Sequence, residues 1–143
     1  MKIGRKILFS LISVIAPLIM GGIFYYIFCP EVYFVKIIDN CINLNMHITS
    51  EVCENMWFRI LRNHLFDYLW AYAFTNALFL VFDNNNKGIL GSCICSVLVG
   101  SVLEGLQLVG MVSGTFDIRD VLFEMLGAIT ATFIIKIIRR KGK

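Results

Sequence analysis

From Ile7 to Phe28 the chain carries no charged side chain, and nearly every residue is apolar. At roughly 1.5 Å of rise per residue, a helix of this length crosses a hydrocarbon layer of about 30 Å. Backbone polar groups in lipid must satisfy one another, which leaves a helix as the only workable form for a single such run. Pro17 in its middle is expected to bend it, with Gly21 and Gly22 softening the next turn. The run is too long for the apolar part of a secretory signal, and no small-residue cleavage site follows it, so it reads as a retained first span. Bulky Phe28 argues against Cys29 as a lipidated cysteine.

About half of the remaining chain behaves the same way. With 58% hydrophobic and 16% charged residues, a chain of 143 residues cannot hide its apolar surface in one water-soluble core. Leu65 to Phe82, Ile89 to Val112 and Val121 to Ile138 are further spans, so the expected fold is all-α, a four-helix transmembrane bundle forming a single domain over residues 1–143. Asp83 to Gly88 is a tight polar turn. Cys29 to Asn63 has no run of span length. Short helices are expected there, one beginning at Pro30 and one over Glu51 to Leu61 capped by Thr49 or Ser50. They would lie along the interface, with Tyr33 and Trp57 at headgroup level, or fold back as a lid.

Eight of the thirteen basic residues stand in the two tails, among them Lys2, Arg5, Lys6, Lys136, Arg139, Arg140, Lys141 and Lys143. Basic flanks on spans set topology, so both termini are expected in the cytoplasm of a multi-pass membrane protein. A nucleic-acid partner is not expected from them. Four spans then place the connector with Lys87 inside and the connector with Asp117 and Asp120 outside. Cys93 and Cys95 point to different faces of one helix, and Cys41 and Cys53 could pair on the outer side. Free buried thiols are the simpler reading of the five cysteines.

Glu104 does not belong in this solvent. It lies about fifteen residues into the third span, roughly 22 Å from the inner end. An ionised side chain at that depth costs on the order of 2.5–3.5 kcal/mol on insertion scales. Gln107 shares its face one turn later. The fourth span opens with Asp120, Glu124 and Gly127 on one stripe, preceded by Asp117 and Arg119. A short connector makes the third and fourth spans antiparallel neighbours, so these stripes meet in the outer half of the bundle. Asp67 enters the second span from the same side, followed by Trp70, Tyr72 and Asn76. The plainer reading is helix–helix glue, which fits Gln107 and Asn76 well. Gly91, Ser92, Ser96, Gly100, Ser101 and Gly105, with Gly127 and Ala131 opposite, read as close-packing positions. Glue does not require acids, however, and two carboxylates facing one low-dielectric space repel unless a proton or a cation intervenes.

The stretch EGLQLVGMVSGTFDIRDVLFEMLGA, with Glu104-x-x-Gln107, Asp117-x-x-Asp120 and Gly127, resembles the core of the VanZ-like membrane proteins. The family commonly has N-x-x-G at the start of its last helix, and Glu124 replaces that asparagine here. In NHLFDYLWAYAF, Asp67 and Tyr72 resemble the family's D-x-x-x-x-Y. The histidine often found in that helix is not expected within it, since His64 precedes Asp67. The likeness covers roughly residues 62–135. It implies a four-helix protein of the bacterial cytoplasmic membrane and cell envelope, and an association with glycopeptide (teicoplanin) resistance. It brings no reaction with it.

Three kinds of function fit. The first is a site that binds or modifies a lipid or cell-wall-related ligand at the outer leaflet. Glu104 and Glu124 would act as acid/base or charge groups there, and Gln107 would orient the ligand. Asp67, Asp117, Arg119 and Asp120 would surround it, and Trp70, Tyr72 and Phe116 would pack on its apolar part. Arg119 is the basic residue best placed for a phosphate, unless it pairs with Asp117 or Asp120. The second is a small proton, cation or solute transporter, which an oligomer would serve better than a narrow monomer. The third is a noncatalytic partner subunit. Catalysis is left open. No cofactor is expected, and no His/Cys spacing marks a metal; carboxylates alone would suit Mg²⁺, Ca²⁺ or Mn²⁺.

Overall fold

No glycine or proline stands between Met56 and Val81, so nothing in that stretch can end a helix. The computed structural model, which describes residues 3–29, 33–42, 47, 56–82, 85–112 and 115–141, makes it one continuous helix. The described residues form five helices and no strand: α1 (Ile3–Phe28), α2 (Tyr33–Ile42), α3 (Met56–Val81), α4 (Asn86–Leu108) and α5 (Ile118–Lys141). The segment expected to form a separate helix over Glu51 to Leu61 therefore joins the second span from Met56 onward. Glu51 itself, Cys53 with its suggested pairing to Cys41, and the side chains of Tyr33 and Trp57 lie outside the described residues.

Three helical stretches are long and apolar enough to cross a membrane: Ile7–Phe28, Asn86–Leu108 and Ile118–Arg140. The expected fourth, α3, is as long but diluted by His64, Asp67 and Asn76. α3 packs against α1, α4 and α5, and α4 also packs against α5, so α3 is screened on several sides. Most of the exposed apolar side chains lie on the other helices, for example Leu8, Ile12, Met20, Leu98, Val102 and Phe133.

The helix ends follow local chemistry. Asn85 caps α4, its side chain accepting from the Gly88 N–H at 2.7 Å. α4 ends at Leu108, short of the expected Val112, because Gly110 takes a positive φ of 72°. The Gly110 and Met111 N–H groups then bond back to the carbonyls of Gln107 and Leu106, closing a Schellman cap. α5 starts earlier than the expected Val121, since Asp117 caps it through a 2.9 Å bond from the Arg119 N–H. α1 runs through Pro17 unbroken. α2 is tied back to α1 by Asp39, which accepts from the Tyr26 hydroxyl and meets His47 Nε2, each at 2.6 Å.

Two close approaches set the relation of α3, α4 and α5. A Cβ at Gly127 would collide with the Tyr68 carbonyl oxygen, and one at Gly100 with the Glu124 carboxyl group. The first brings the α3 and α5 backbones together. These two helices run in the same direction, with His64 beside Phe123 and Tyr68 beside Gly127. Buried Ser92 and Ser96 also sit on the packed face of α4, and Ser96 donates to the Ala71 carbonyl across the helix pair at 3.3 Å. Ser101 is exposed, and Gly105 has no neighbour for a Cβ, so these two are not close-packing positions. Toward the far end of α3 and α5, Phe79, Ile89 and Ile135 form an apolar core with Phe9 against it.

Candidate functional site

The end of the bundle at which α3 and α5 begin collects the acids. Asp120, in the first turn of α5, has its Oδ1 2.5 Å from Nδ1 of His64 on α3. The imidazole is only 4% exposed and stacks on Phe123, with ring centres 5.0 Å apart and planes 14° from parallel. Stacking on one side and the carboxylate at Nδ1 together fix the ring. Asp67 lies three residues after His64, hence on the same face of α3, and its carboxyl lies beside that of Asp120. One ligand atom from each of His64, Asp67 and Asp120 falls within 4.8 Å of the others.

Glu104 and Glu124 lie below and beside this group, 6% and 7% exposed. Glu104 Oε2 accepts the Asp117 N–H at 3.3 Å, so α4 holds the start of α5 through its own acid. Glu124 lies against the bare backbone of Gly100, and its Oε2 has no hydrogen-bond partner among the described residues. It is near enough to Asp67, Glu104 and Asp120 for like charges on these groups to repel. Four carboxyl groups and one imidazole from three helices thus share one region. Among the described residues no lysine or arginine pairs with them. A buried unpaired carboxyl is costly, and glue would have satisfied it.

The other expected residues scatter. Gln107 is half-buried one turn beyond Glu104, and its side chain bonds none of the acids among the described residues. Asp117 serves as the α5 cap. Arg119 is exposed and forms no ion pair with Asp117 or Asp120; it lines a cleft of about 170 Å³ with Arg59, Asn63 and His64. Trp70 is turned away from the acids. It stacks on Phe74, centre to centre 5.1 Å, and lines a shallow groove with Val14 and Leu18 of α1. Tyr72 is half-buried and supplies its carbonyl to Asn76 Nδ2 at 2.9 Å. Asn76 is fully buried and bonds its own helix, leaving its Oδ1 without a partner among the described residues. Phe116 is exposed.

The sequence reading missed His64 and Arg59. Both were placed ahead of the second span, yet both lie on α3. The signal was available: His64 and Asp67 are spaced to share a helical face, and no breaker separates them.

Three helices of membrane-crossing length and acids gathered at one end of the bundle define an α-helical membrane protein with a buried polar cluster. A family model described as VanZ/LLP1 matches residues 16–139, and the chain belongs to that family. No curated protein sequence and no solved structure matches it.

Proposed function

We propose that this VanZ/LLP1 protein holds a ligand with a polar headgroup at the outward-facing end of a four-span bundle, with α3 as the spanning helix the other three surround. The ligand class is a lipid or a cell-wall-related, lipid-linked molecule. The basic residues Lys136, Arg139 and Arg140 near the end of α5 support cytoplasmic termini, which turns the acid cluster outward. The observation that carries the reading is Glu124, a buried carboxyl with an unpartnered oxygen beside three other acids. Glu104 and Glu124 would be the acid/base or charge groups, with Asp67 and Asp120 beside them. Arg119, with Arg59 across the same cleft, would meet an anionic headgroup. The apolar groove beside Trp70 would take part of a chain. Gln107, Asp117 and Tyr72 would contribute at the margin. Association with teicoplanin resistance is an expectation from the family alone.

A transport reading has less support. Phe79, Ile89 and Ile135 close the opposite end with apolar packing. The buried Thr75 and Ser92 there bond their own helix carbonyls rather than continuing a chain of acids.

The test is to purify the chain and its Glu104→Gln variant at equal expression, identify the lipids each retains by mass spectrometry, and measure teicoplanin susceptibility of the expressing cells. The reading expects a retained anionic or lipid-linked species that the variant loses. Identical lipid profiles and identical susceptibility would contradict it.

A further inference from the structure

We infer that His64, Asp67 and Asp120 form a binding site for a divalent transition-metal cation, with Glu124 and Glu104 as its outer carboxylates. No metal-ligand spacing of histidines and cysteines is visible along the chain. The site is instead assembled across two helices. His64 and Asp67 are one turn apart on α3, and Asp120 arrives from the first turn of the parallel helix α5.

Three observations converge. The ligand atoms lie within 4.8 Å of one another, so small rotamer adjustments bring them to a common centre at the roughly 2.0–2.2 Å that imidazole and carboxylate ligands adopt around such ions. The histidine is already oriented, buried and stacked on Phe123, with one nitrogen directed at a carboxylate. Independently, Glu124 presents a buried oxygen with no hydrogen-bond partner, close enough to Asp67 and Asp120 to interact with both electrostatically. Such an oxygen gains from a positive charge nearby, and among the described residues no lysine or arginine pairs with these carboxyls.

The donor set selects the ion. One imidazole with two carboxylates is a mixed nitrogen–oxygen site, which suits Mn²⁺, Fe²⁺ or Zn²⁺ and leaves open positions for water or an anionic group. The cleft lined by Arg59, Asn63, His64 and Arg119 borders His64 and gives access from one side. This inference does not depend on the organic ligand proposed above: the cation could be held whether or not a lipid binds.

The experiment uses the full chain in detergent, stripped with a chelator and desalted. Mn²⁺ is then titrated and followed by loss of the free-ion electron paramagnetic resonance signal, and Zn²⁺ retention is read by elemental analysis. Stoichiometric binding of either ion by the wild type is expected. His64→Ala and Asp67→Asn should each weaken it by more than the about 10–100-fold typical of outer-sphere partners. Lys136→Ala, on α5 well away from the cluster, should bind as the wild type does. Protons compete for the same ligands, so binding should also weaken as pH falls. A wild type that holds neither ion overturns the inference, even if a variant fails to fold. Equal binding by the wild type and either ligand variant overturns it too. Loss of lipid retention in Glu104→Gln with no metal bound would sink the cation site and leave the ligand reading standing.

Discussion

The carboxyl group of Glu124 rests on the backbone of Gly100, so that a methyl group at position 100 would overlap its terminal atoms. Gly100→Ala therefore has to displace Glu124 or separate α4 from α5. Overpacking of this kind costs about 1–3 kcal/mol. Thermal unfolding in detergent should show Gly100→Ala less stable than the wild type. In Gly100→Ala/Glu124→Ala the added methyl occupies space the carboxyl has left, so the double-mutant cycle should be non-additive by about 0.5–3 kcal/mol. Simple additivity would mean the two residues are not in contact.

Gly127 faces a different obstacle. Its neighbour is the Tyr68 carbonyl oxygen, and a backbone atom cannot rotate away as a carboxyl can. Gly127→Ala should destabilise at least as much as Gly100→Ala. Gly105→Ala is the control, because nothing lies within 4 Å of a Cβ there. Replacing a helical glycine in open space should gain up to about 1 kcal/mol. The order of melting temperatures, Gly105→Ala highest and Gly127→Ala lowest, checks all three.

Glu104 combines a structural contact with a proposed chemical one, and two substitutions separate them. Glutamine keeps a carbonyl oxygen for the Asp117 N–H, so Glu104→Gln should unfold within about 1 kcal/mol of the wild type. Alanine leaves that donor without its acceptor, and Glu104→Ala should lose about 1–3 kcal/mol. If both variants unfold alike, the bond from Asp117 does not hold the start of α5.

The helical period alone was enough to place Glu104 opposite Asp120 and Glu124, because a short connector leaves two consecutive spans no alternative to an antiparallel contact. The same logic could not orient α3. That helix packs against α1, α4 and α5, so protein meets several of its faces and apolar periodicity alone does not separate a site face from a packing face. Asp67 turned toward α5, whereas Trp70, only three residues on, turned toward α1. The polar stretch Arg62 to His64 reads as the edge of a span when lipid is assumed on all sides, yet in the structure α5 supplies Asp120 and Phe123 to cover the imidazole. The end of α4 was misjudged for a local reason, since Gly110 closes the helix before the apolar run is exhausted.

Glu124→Gln tests the account most directly, by lipid retention and thermal unfolding of the variant measured together. Glutamine preserves shape and removes an ionisable group from a crowded set of acids, so the account predicts a melting temperature at or above the wild type with the retained lipid lost. A variant that is less stable yet retains the same lipid would show Glu124 to be a packing residue, and the ligand site would not stand.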